Sequence, residues 1–344
     1  MASEFDYLEE ERELTGSRIL VTGGTGYVGS ALVPYLARNN FVRVFCSMHF
    51  GNSIEATPHT EFVNGDIRDN EAISVALEGQ DVVIHLAGIV TDDLVDMNRT
   101  LADDVNVRAT KDMLRLAREK GVKRFIYASS SSVYGSTLTP ITEGAICQPE
   151  THYALSKLEA EKLTLDASDV GFDTVAIRSA TLCGPAPRMR LDTIVNVFSK
   201  QAWFDGKLTV HDGTQIRSNL HVDDAVGFYE MMVTAESNLI YGRAFNATSG
   251  NHNALEIATI VCDTAKEWGK NPELEVNDKI KDTRQYQMST ERAKNTFGWS
   301  PSRSIVDAIN ANFKWFQQGH ISDPNNPIYY NTKRMEKIVN EHAN

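Results

Sequence analysis

The sequence predicts an α/β fold, in which a doubly wound parallel sheet is combined with a smaller lobe interwoven with it. Short apolar runs alternate with amphipathic stretches from Ser17 onward, and a glycine-rich turn follows the first run. This alternation is typical of βαβ units, whose parallel sheet is covered by helices on both faces. The chain has 344 residues, which suits one large or two small domains with an ample core.

Six short apolar runs predict the strands of the sheet. In chain order they are "RILVTG", "VRVFCS", "FVNGDI", "DVVIHLAG", "KRFIYASS" and "DTVAIRSA". Helical spacing of apolar residues predicts the helices between them, which are "YVGSALVPYLARNN", "NEAISVALEG", "DVNVRATKDMLRLAREKGV" and "YALSKLEAEKLTLDASDVG". The order of these elements predicts one continuous α/β unit up to about residue 180.

The alternation ends after "CGPAPRMR", where Pro185 and Pro187 interrupt it. The helix "LDTIVNVFSKQAW" and short strands around "LTVHDG" predict a smaller lobe, whereas "SNLHVDDAVGFYEMMVTAE" and "RAFNATSG" predict returns to the main sheet. The predicted organisation is an acidic extension at 1–15, the sheet domain at 16–180 with returns near 218–248, the smaller lobe mainly at 181–330, and a tail at 331–344.

Composition argues against several classes of protein. The net charge of -12 disfavours a nucleic-acid binder, which needs a basic face to meet phosphates. The four cysteines, Cys46, Cys147, Cys183 and Cys262, are widely spaced, so neither a metal site nor a disulfide scaffold is expected. No apolar run reaches the roughly 18–20 residues that span a bilayer, and the start lacks the order of a signal peptide. We therefore expect a soluble, cytoplasmic protein.

The stretch "ILVTGGTGYVG" has the features of a dinucleotide-binding turn. Its glycines follow a strand and open a helix, so that the backbone can approach a pyrophosphate and the helix amino terminus can offer N–H donors. This context predicts a Rossmann-type domain. The residues predicted to contact the cofactor here are Gly23, Thr25, Gly26, Tyr27, Val28 and Gly29.

Further cofactor contacts are predicted where later strands end. Cys46 and Ser47 stand where an acidic residue would hold the adenosine ribose, so NAD and NADP are both open, with NAD preferred. Asp66 and Ile67 are candidates for the adenine, although Asp66 could instead cap the helix that follows Ile67. The remaining candidates, Leu86 and Ala87, follow the fourth strand.

The motifs "TGGTGYVG", "HLAG", "SSSSVYG" and "YALSK", in this order, resemble the extended short-chain dehydrogenase/reductase superfamily. Within it, the chain is most similar to the NAD-dependent nucleotide-sugar epimerases and dehydratases, over about residues 17–319. The resemblance implies that the catalytic serine lies four positions before Tyr134, which is Ser130. It also implies a nucleotide-diphosphate sugar as substrate and a homodimer that pairs helices at 109–120 and 153–165.

The chemistry of "YALSK" can also be argued directly. Tyr153 and Lys157 lie four apart in a helical stretch and share one face. A lysine ammonium beside a phenol lowers the phenol pKa from about 10, which makes Tyr153 a usable general base. Ser130 would hydrogen-bond the reacting oxygen, while Ser129 would orient the loop or bind substrate.

Ser131 and Ser132 argue against one class of reaction, the elimination of water. In the resembled family, 4,6-dehydratases carry Asp-Glu at these positions, and hydroxyls cannot replace carboxylates in the proton transfers of elimination. We therefore expect hydride transfer, with the protein acting as a 4-epimerase of a UDP-sugar. The serine run is similar to that of UDP-sugar 4-epimerases, including those that act on uronic acids. The alternative is a nucleotide-sugar dehydrogenase or reductase with net redox turnover. A non-catalytic dinucleotide sensor is disfavoured, since the Tyr153–Lys157 pair is present.

Basic residues of the smaller lobe are the candidates for the substrate diphosphate. Arg217 and Arg284 match family positions that hold it. Arg188 and Arg190 line the cleft or are surface residues, and Thr181 stands where many relatives have asparagine. Asn196 completes the predicted substrate contacts. Three acids after "HLAG", namely Asp92, Asp93 and Asp96, bind sugar hydroxyls or are solvated.

Overall fold

The structure is a computed structural model that describes residues 16–47, 49–277, 285 and 287–342. The strands, in chain order, are β1 (Arg18–Thr22), β2 (Phe41–Cys46), β3 (Thr60–Asn64), β4 (Val82–His85), β5 (Arg124–Ser130), β6 (Asp173–Ser179), β7 (Thr181–Cys183), β8 (Lys207–His211), β9 (Ile216–His221), β10 (Arg243–Ala247), β11 (Gly250–Asn253) and β12 (Glu273–Asn277).

The α-helices separate most of these strands and come in two lengths, short turns of four to seven residues and longer helices. In chain order they are α1 (Tyr27–Leu36), α2 (Asn70–Ala76), α3 (Asp92–Met97), α4 (Arg99–Asp103), α5 (Ala109–Glu119), α6 (His152–Asp166), α7 (Ile194–Lys200), α8 (Val222–Thr234), α9 (Ser237–Ile240), α10 (Ala254–Glu267), α11 (Glu291–Phe297), α12 (Ile305–Gln317) and α13 (Asn331–His342).

Seven strands form one parallel sheet in the order β10-β6-β5-β4-β1-β2-β3. The chain winds outward from β1 in both directions, so the α/β fold with a doubly wound parallel sheet is confirmed. All six predicted strands belong to this sheet, and the seventh, β10, comes from the predicted return "RAFNATSG". The strand of the other predicted return, "SNLHVDDAVGFYEMMVTAE", is β9, which lies instead in a three-stranded sheet ordered β11-β9-β7, and β12 pairs with β8.

Apolar side chains are buried on both faces of the large sheet and in a separate cluster of the smaller lobe. One face packs against α1 and α8, and the other against α2, α5 and α6. The smaller lobe is built around α7, α10 and α12. Strand β6 leads at its carboxyl end directly into β7 of the three-stranded sheet, and the carboxyl ends of parallel strands are where α/β proteins bind their ligands.

One predicted helix has a more complex form. The stretch "DVNVRATKDMLRLAREKGV" begins as a π-helical turn at Asp104–Arg108 before it continues as α5. Within the residues that the structure describes, no helix is both long and apolar enough to cross a membrane.

Candidate functional site

The glycine-rich turn between β1 and α1 is closely packed. Gly23 has a φ of +68°, and a Cβ on it would lie 2.8 Å from the backbone of Ala87. A Cβ on Gly29 would lie 2.3 Å from the carbonyl oxygen of Gly24. Helix α1 begins after Gly26, and no side chain caps its first N–H groups. These N–H groups and the absence of side chains fit a pyrophosphate at the helix amino terminus.

The end of β2 presents small side chains that are already hydrogen-bonded. Thr25 donates from Oγ1 to Cys46 Sγ at 3.3 Å, and Ser47 donates from Oγ to the carbonyl oxygen of Gly65 at 3.3 Å. The first contact holds the turn after β1 against the end of β2, and the second holds the segment after β2 against the residue that follows β3.

Asp66 is paired with the neighbouring Arg68, whose side chain and backbone N–H both donate to it. The Arg68 guanidinium lowers the pKa of Asp66. The alternative role considered for Asp66 is wrong, because Asp69 caps α2 by accepting hydrogen bonds from the backbone N–H groups of Glu71 and Ala72. Asp66 stays a predicted cofactor contact, as do Ile67 and Leu86.

Helix α6 carries Tyr153 and Lys157 on successive turns. Thr151 caps the helix by accepting a hydrogen bond from the N–H of Ala154 at 3.2 Å, which places Tyr153 in the first turn, partly exposed. Lys157 is only 4% exposed, and its Nζ lies 4.4 Å from the centroid of the Tyr127 ring. Burial lowers the pKa of Lys157 to about 7, and the nearby Glu161 carboxylate opposes that shift.

The serine run divides at the end of β5. Ser130 is its last residue and caps a 3-10 turn, Ser131–Tyr134, by accepting hydrogen bonds from the N–H of Ser132 at 3.2 Å and from the Ser132 hydroxyl at 2.9 Å. Ser130 is partly exposed, whereas Ser131 and Ser132 are buried. Helix α6 packs against both β5 and this turn, so the structure brings the serine run and the Tyr153–Lys157 pair to the same end of the sheet.

The side chain of Ser129 points to the opposite face of β5 from that of Ser130. It is 7% exposed and donates from Oγ to Glu161 at 2.5 Å, in the interior beneath α6. This position favours the orienting role of Ser129 over a contact with substrate.

Asn106 is a site residue that sequence reasoning missed. It lies in the π-helical turn, is 2% exposed, and accepts from the N–H of Ile89 at 2.8 Å. Its amide donates to the Ile89 carbonyl at 3.0 Å and to Ser156 Oγ at 3.1 Å. Asn106 therefore ties the loop after β4 to the helix that carries Tyr153 and Lys157. The available signal was a polar side chain within the apolar positions of "DVNVRATKDML".

His85, at the end of β4, extends the same network. Its Nε2 lies 3.0 Å from Thr110 Oγ1, and its Nδ1 lies 2.6 Å from Thr22 Oγ1. Thr110 donates its hydroxyl to a backbone carbonyl, so it accepts from Nε2–H, and Thr22 donates to Nδ1. Thr22 in turn accepts from the N–H of Ala87 at 3.3 Å, which fixes the predicted cofactor contact at Ala87.

Two predicted substrate contacts, Asn196 and Arg188, are hydrogen-bonded around the loop at 184–192. Asn196 is fully buried, accepts from the N–H of Gly184 at 3.0 Å, and donates to the carbonyl of Arg190 at 2.9 Å. Arg188 is 4% exposed, and its side chain donates to Asn331 Oδ1 at 2.6 Å. These hydrogen bonds argue against a substrate contact for Asn196. Arg188 Nε has no hydrogen-bond partner among the described residues, and Arg188 stays a predicted substrate contact.

The other predicted substrate contacts differ in their exposure and in their ion pairs. Arg190 is partly buried and forms an ion pair with Asp192 at 2.7 Å. Thr181 and Arg217 are partly exposed on the neighbouring strands β7 and β9, where Thr181 pairs with Asn219. Arg284 lies outside the described residues. Asp96 forms an exposed ion pair with Arg99, so its solvated alternative is the better description.

The segment 323–342, here named the carboxy-terminal arm, crosses the same end of the sheet. The N–H of Asn331 donates to Asp192 at 2.8 Å, and Arg334 Nε donates to the carbonyl of His49 at 2.8 Å. Helix α13 also packs against α3. His49 follows β2 and α3 follows β4, and these two strands flank β1 in the sheet. The arm therefore spans the edge at which the glycine-rich turn lies.

Comparison with known proteins gives a consistent picture. The sequence model described as "NAD dependent epimerase/dehydratase family" matches residues 19–248. The chain is 26% identical to human dTDP-D-glucose 4,6-dehydratase, over 94% of this chain and 93% of that protein. It is 27% identical to the UDP-glucose 4-epimerase of Lactobacillus helveticus, over 87% and 96% respectively. The structure of epimerase Mth375 from Methanothermobacter thermautotrophicus is similar with a TM-score of 0.78 and 28% identity, over 89% of this chain and 94% of that one.

Proposed function

Because the chain belongs to the NAD-dependent epimerase/dehydratase family, whose members include both epimerases and dehydratases, we propose that it is a nucleotide-sugar epimerase acting at C4 of a UDP-sugar. The observation that carries this proposal is the 3-10 turn after Ser130. Its first two residues are the buried serines Ser131 and Ser132. Elimination of water needs groups that exchange protons near neutral pH, and a serine hydroxyl does not do so.

Tyr153 is the base in this mechanism. Its phenolate takes the proton of the sugar 4-hydroxyl, and the Lys157 ammonium, one helical turn away, stabilises that phenolate. Ser130 donates a hydrogen bond to the same oxygen as the hydroxyl becomes a ketone. The residues of the glycine-rich turn would hold NAD, which would supply the reversible hydride acceptor for C4. Tyr153 then gives its proton back to the oxygen, so that proton and hydride are both restored and no net oxidation occurs.

The sugar lies between the residues that hold the diphosphate and the catalytic residues Ser130, Tyr153 and Lys157. Arg217 holds the diphosphate, with Arg284 as a further predicted contact, and Thr181 lies on the neighbouring strand β7. The sugar ring can then rotate about its phosphate link and present its other face to the returning hydride. The homodimer and the cytoplasmic location stay predictions.

The test of this function uses the purified protein without added cofactor. We expect it to convert a UDP-sugar, from a panel of UDP-glucose, UDP-N-acetylglucosamine and UDP-glucuronic acid, to a product of unchanged mass with inverted C4, as read by NMR. Tyr153→Phe should lower kcat by about 10²–10⁴-fold, the range of general acid–base catalysis, with bound NAD unchanged. A product lighter by one water would show a dehydratase, and stoichiometric consumption of added NAD or NADH would show a dehydrogenase or reductase.

A further inference from the structure

We propose that Glu161 is a positioning residue for the catalytic group, because it fastens the helix that carries Tyr153 and Lys157 to the strand that ends at Ser130. This inference rests on the proposed function, since the catalytic roles of these three residues belong to that proposal.

The geometry starts from the helix. Positions 153, 157 and 161 of α6 follow one another at intervals of four, so they share one face. Glu161 is 1% exposed. Its carboxylate accepts three hydrogen bonds, one from Ser129 Oγ at 2.5 Å and two from Arg178 on β6, from Nε at 3.0 Å and from Nη2 at 2.6 Å. A buried, bidentate arginine–carboxylate pair fixes both distance and orientation.

The hydrogen-bond network also reaches the turn that follows Ser130 in the chain. Arg178 Nη1 donates to the Tyr134 hydroxyl at 2.7 Å, and Tyr134 donates to Asn246 Oδ1 on β10 at 2.8 Å. Tyr134 ends the 3-10 turn that Ser130 caps. Glu161 is therefore linked directly to the residue before Ser130, and through Arg178 to the end of the turn after it. A displacement of Glu161 would move Ser130 relative to Tyr153.

The charge of Glu161 has a second effect on the same group. The titratable side chains that surround the Lys157 ammonium are His85 of β4, Tyr127 of β5, and Tyr153 and Glu161 of its own helix. Burial keeps His85 neutral, with a pKa lowered to about 3, and raises the pKa of Tyr127. The Glu161 carboxylate raises the pKa of Lys157 against the effect of burial, so it helps to keep the ammonium that stabilises the Tyr153 phenolate.

The first test removes only the link between helix and strand. Ser129→Ala deletes the hydroxyl and keeps the Glu161–Arg178 pair. We expect kcat to fall by roughly tenfold with KM nearly unchanged, since small misplacements of reacting groups are costly. The matched control is Thr164→Val, on the same helix, where a fully buried hydroxyl donates only to the carbonyl of Ala160. Equal effects of the two variants, or none in Ser129→Ala, would overturn the proposal.

The second test measures the effect of the Glu161 charge on the pH dependence of kcat. Glu161→Gln should move the alkaline limb of the kcat profile to lower pH, because Lys157 then loses its proton more easily. Glu161→Asp, which keeps the charge, should restore the limb but not the full kcat. An unshifted limb in a folded Glu161→Gln protein contradicts the electrostatic part of the proposal. If Glu161→Gln does not fold, Ser129→Ala still decides the positioning.

A crystal structure of Ser129→Ala separates this inference from the proposed function. We expect Ser130 Oγ to move away from the Tyr153 hydroxyl by about 0.5 Å or more, a displacement large enough to slow catalysis. An unmoved Ser130 refutes positioning whatever the reaction is. If the wild-type protein forms no C4 epimer, the proposed function fails, while the displacement of Ser130 still tests Glu161.

Discussion

His85 shows how one buried side chain makes the stability of this protein depend on pH. Burial, followed by the nearby positive charge of Lys157, lowers its pKa to about 3. The unfolded chain binds a proton at His85 near pH 6.5, whereas the folded chain does not. The stability associated with neutral His85 is therefore complete above pH 6.5 and is lost as the pH falls toward 3.

We predict that this residue alone costs about 2 kcal/mol of unfolding free energy between pH 7.5 and pH 5, since the cost approaches 1.36 kcal/mol per pH unit below pH 6.5. His85→Gln, which cannot take up a proton in this range, should show a correspondingly flatter dependence. Urea unfolding of both proteins at the two pH values measures the difference. Parallel pH dependences of wild type and variant would contradict the assignment.

Individual residues also mark the limit of sequence reasoning at this site. The roles predicted for Tyr153 and Lys157 follow from spacing within one helix, and the structure places both where the strands end. The burial of Asn196 and Arg188 could not be predicted in this way, because it depends on α12 and on the carboxy-terminal arm, which are more than 100 residues away. Asn106 was missed for a similar reason, since its partners Ile89 and Ser156 lie on other elements.

At the scale of elements, the contact between the glycine-rich turn and α1 gives a sharp prediction. A Cβ on Gly29 would approach backbone atoms of Gly24 to between 2.3 and 2.5 Å, and backbone cannot yield as a flexible side chain does. Gly29→Ala should cost roughly 1–3 kcal/mol, the usual cost of overpacking, and should reduce the NAD that copurifies. Thermal unfolding and the NAD released on denaturation measure the two effects.

Gly227, in the middle of α8, is the matched control. A Cβ there meets nothing within 4 Å, so Gly227→Ala should stabilise the protein by about 0.5–1 kcal/mol through its higher helix propensity. Its NAD content should equal that of the wild type. Similar losses in both variants would show that the turn tolerates a side chain and that crowding at Gly29 is not the cause.

The central strands of the large sheet, such as β4 and β6, were predictable because they are buried on both faces and read as short apolar runs, whereas the edge strand β3 is only partly buried. The assignment of β9 to the main sheet was wrong, because the pattern of a strand does not say which neighbour it pairs with. The predicted tail at 331–344 contains α13, whose contacts run through polar groups such as Asn331 and Arg334.

At the scale of the whole molecule, the carboxy-terminal arm joins the smaller lobe to the sheet domain. Arg188 lies beneath it, with its guanidinium 3.9 Å from the centroid of the Phe50 ring and a hydrogen bond to Asn331. Leu191 donates its N–H to the carbonyl of Tyr329 at 2.9 Å. The loop at 184–192, the segment after β2 and α13 thus form one connected layer above the glycine-rich turn.

Deletion of residues 331–344 should therefore speed the exchange of bound NAD by about tenfold, which corresponds to 1.4 kcal/mol. Arg334→Ala, which removes only the hydrogen bond to His49, should give an intermediate rate. A chase of labelled NAD with unlabelled NAD measures both. An exchange rate that does not change on deletion would show that the arm does not restrain the cofactor.

The place of the arm along the chain sets an order of events during synthesis. Ser130, Tyr153 and Lys157 are made first, and the seventh strand of the large sheet, β10, is complete at Ala247. The arm begins only at residue 323. When the ribosome starts to add the arm, every strand of the sheet and the glycine-rich turn have already been translated. The edge at which the glycine-rich turn lies is thus made before the arm that crosses it.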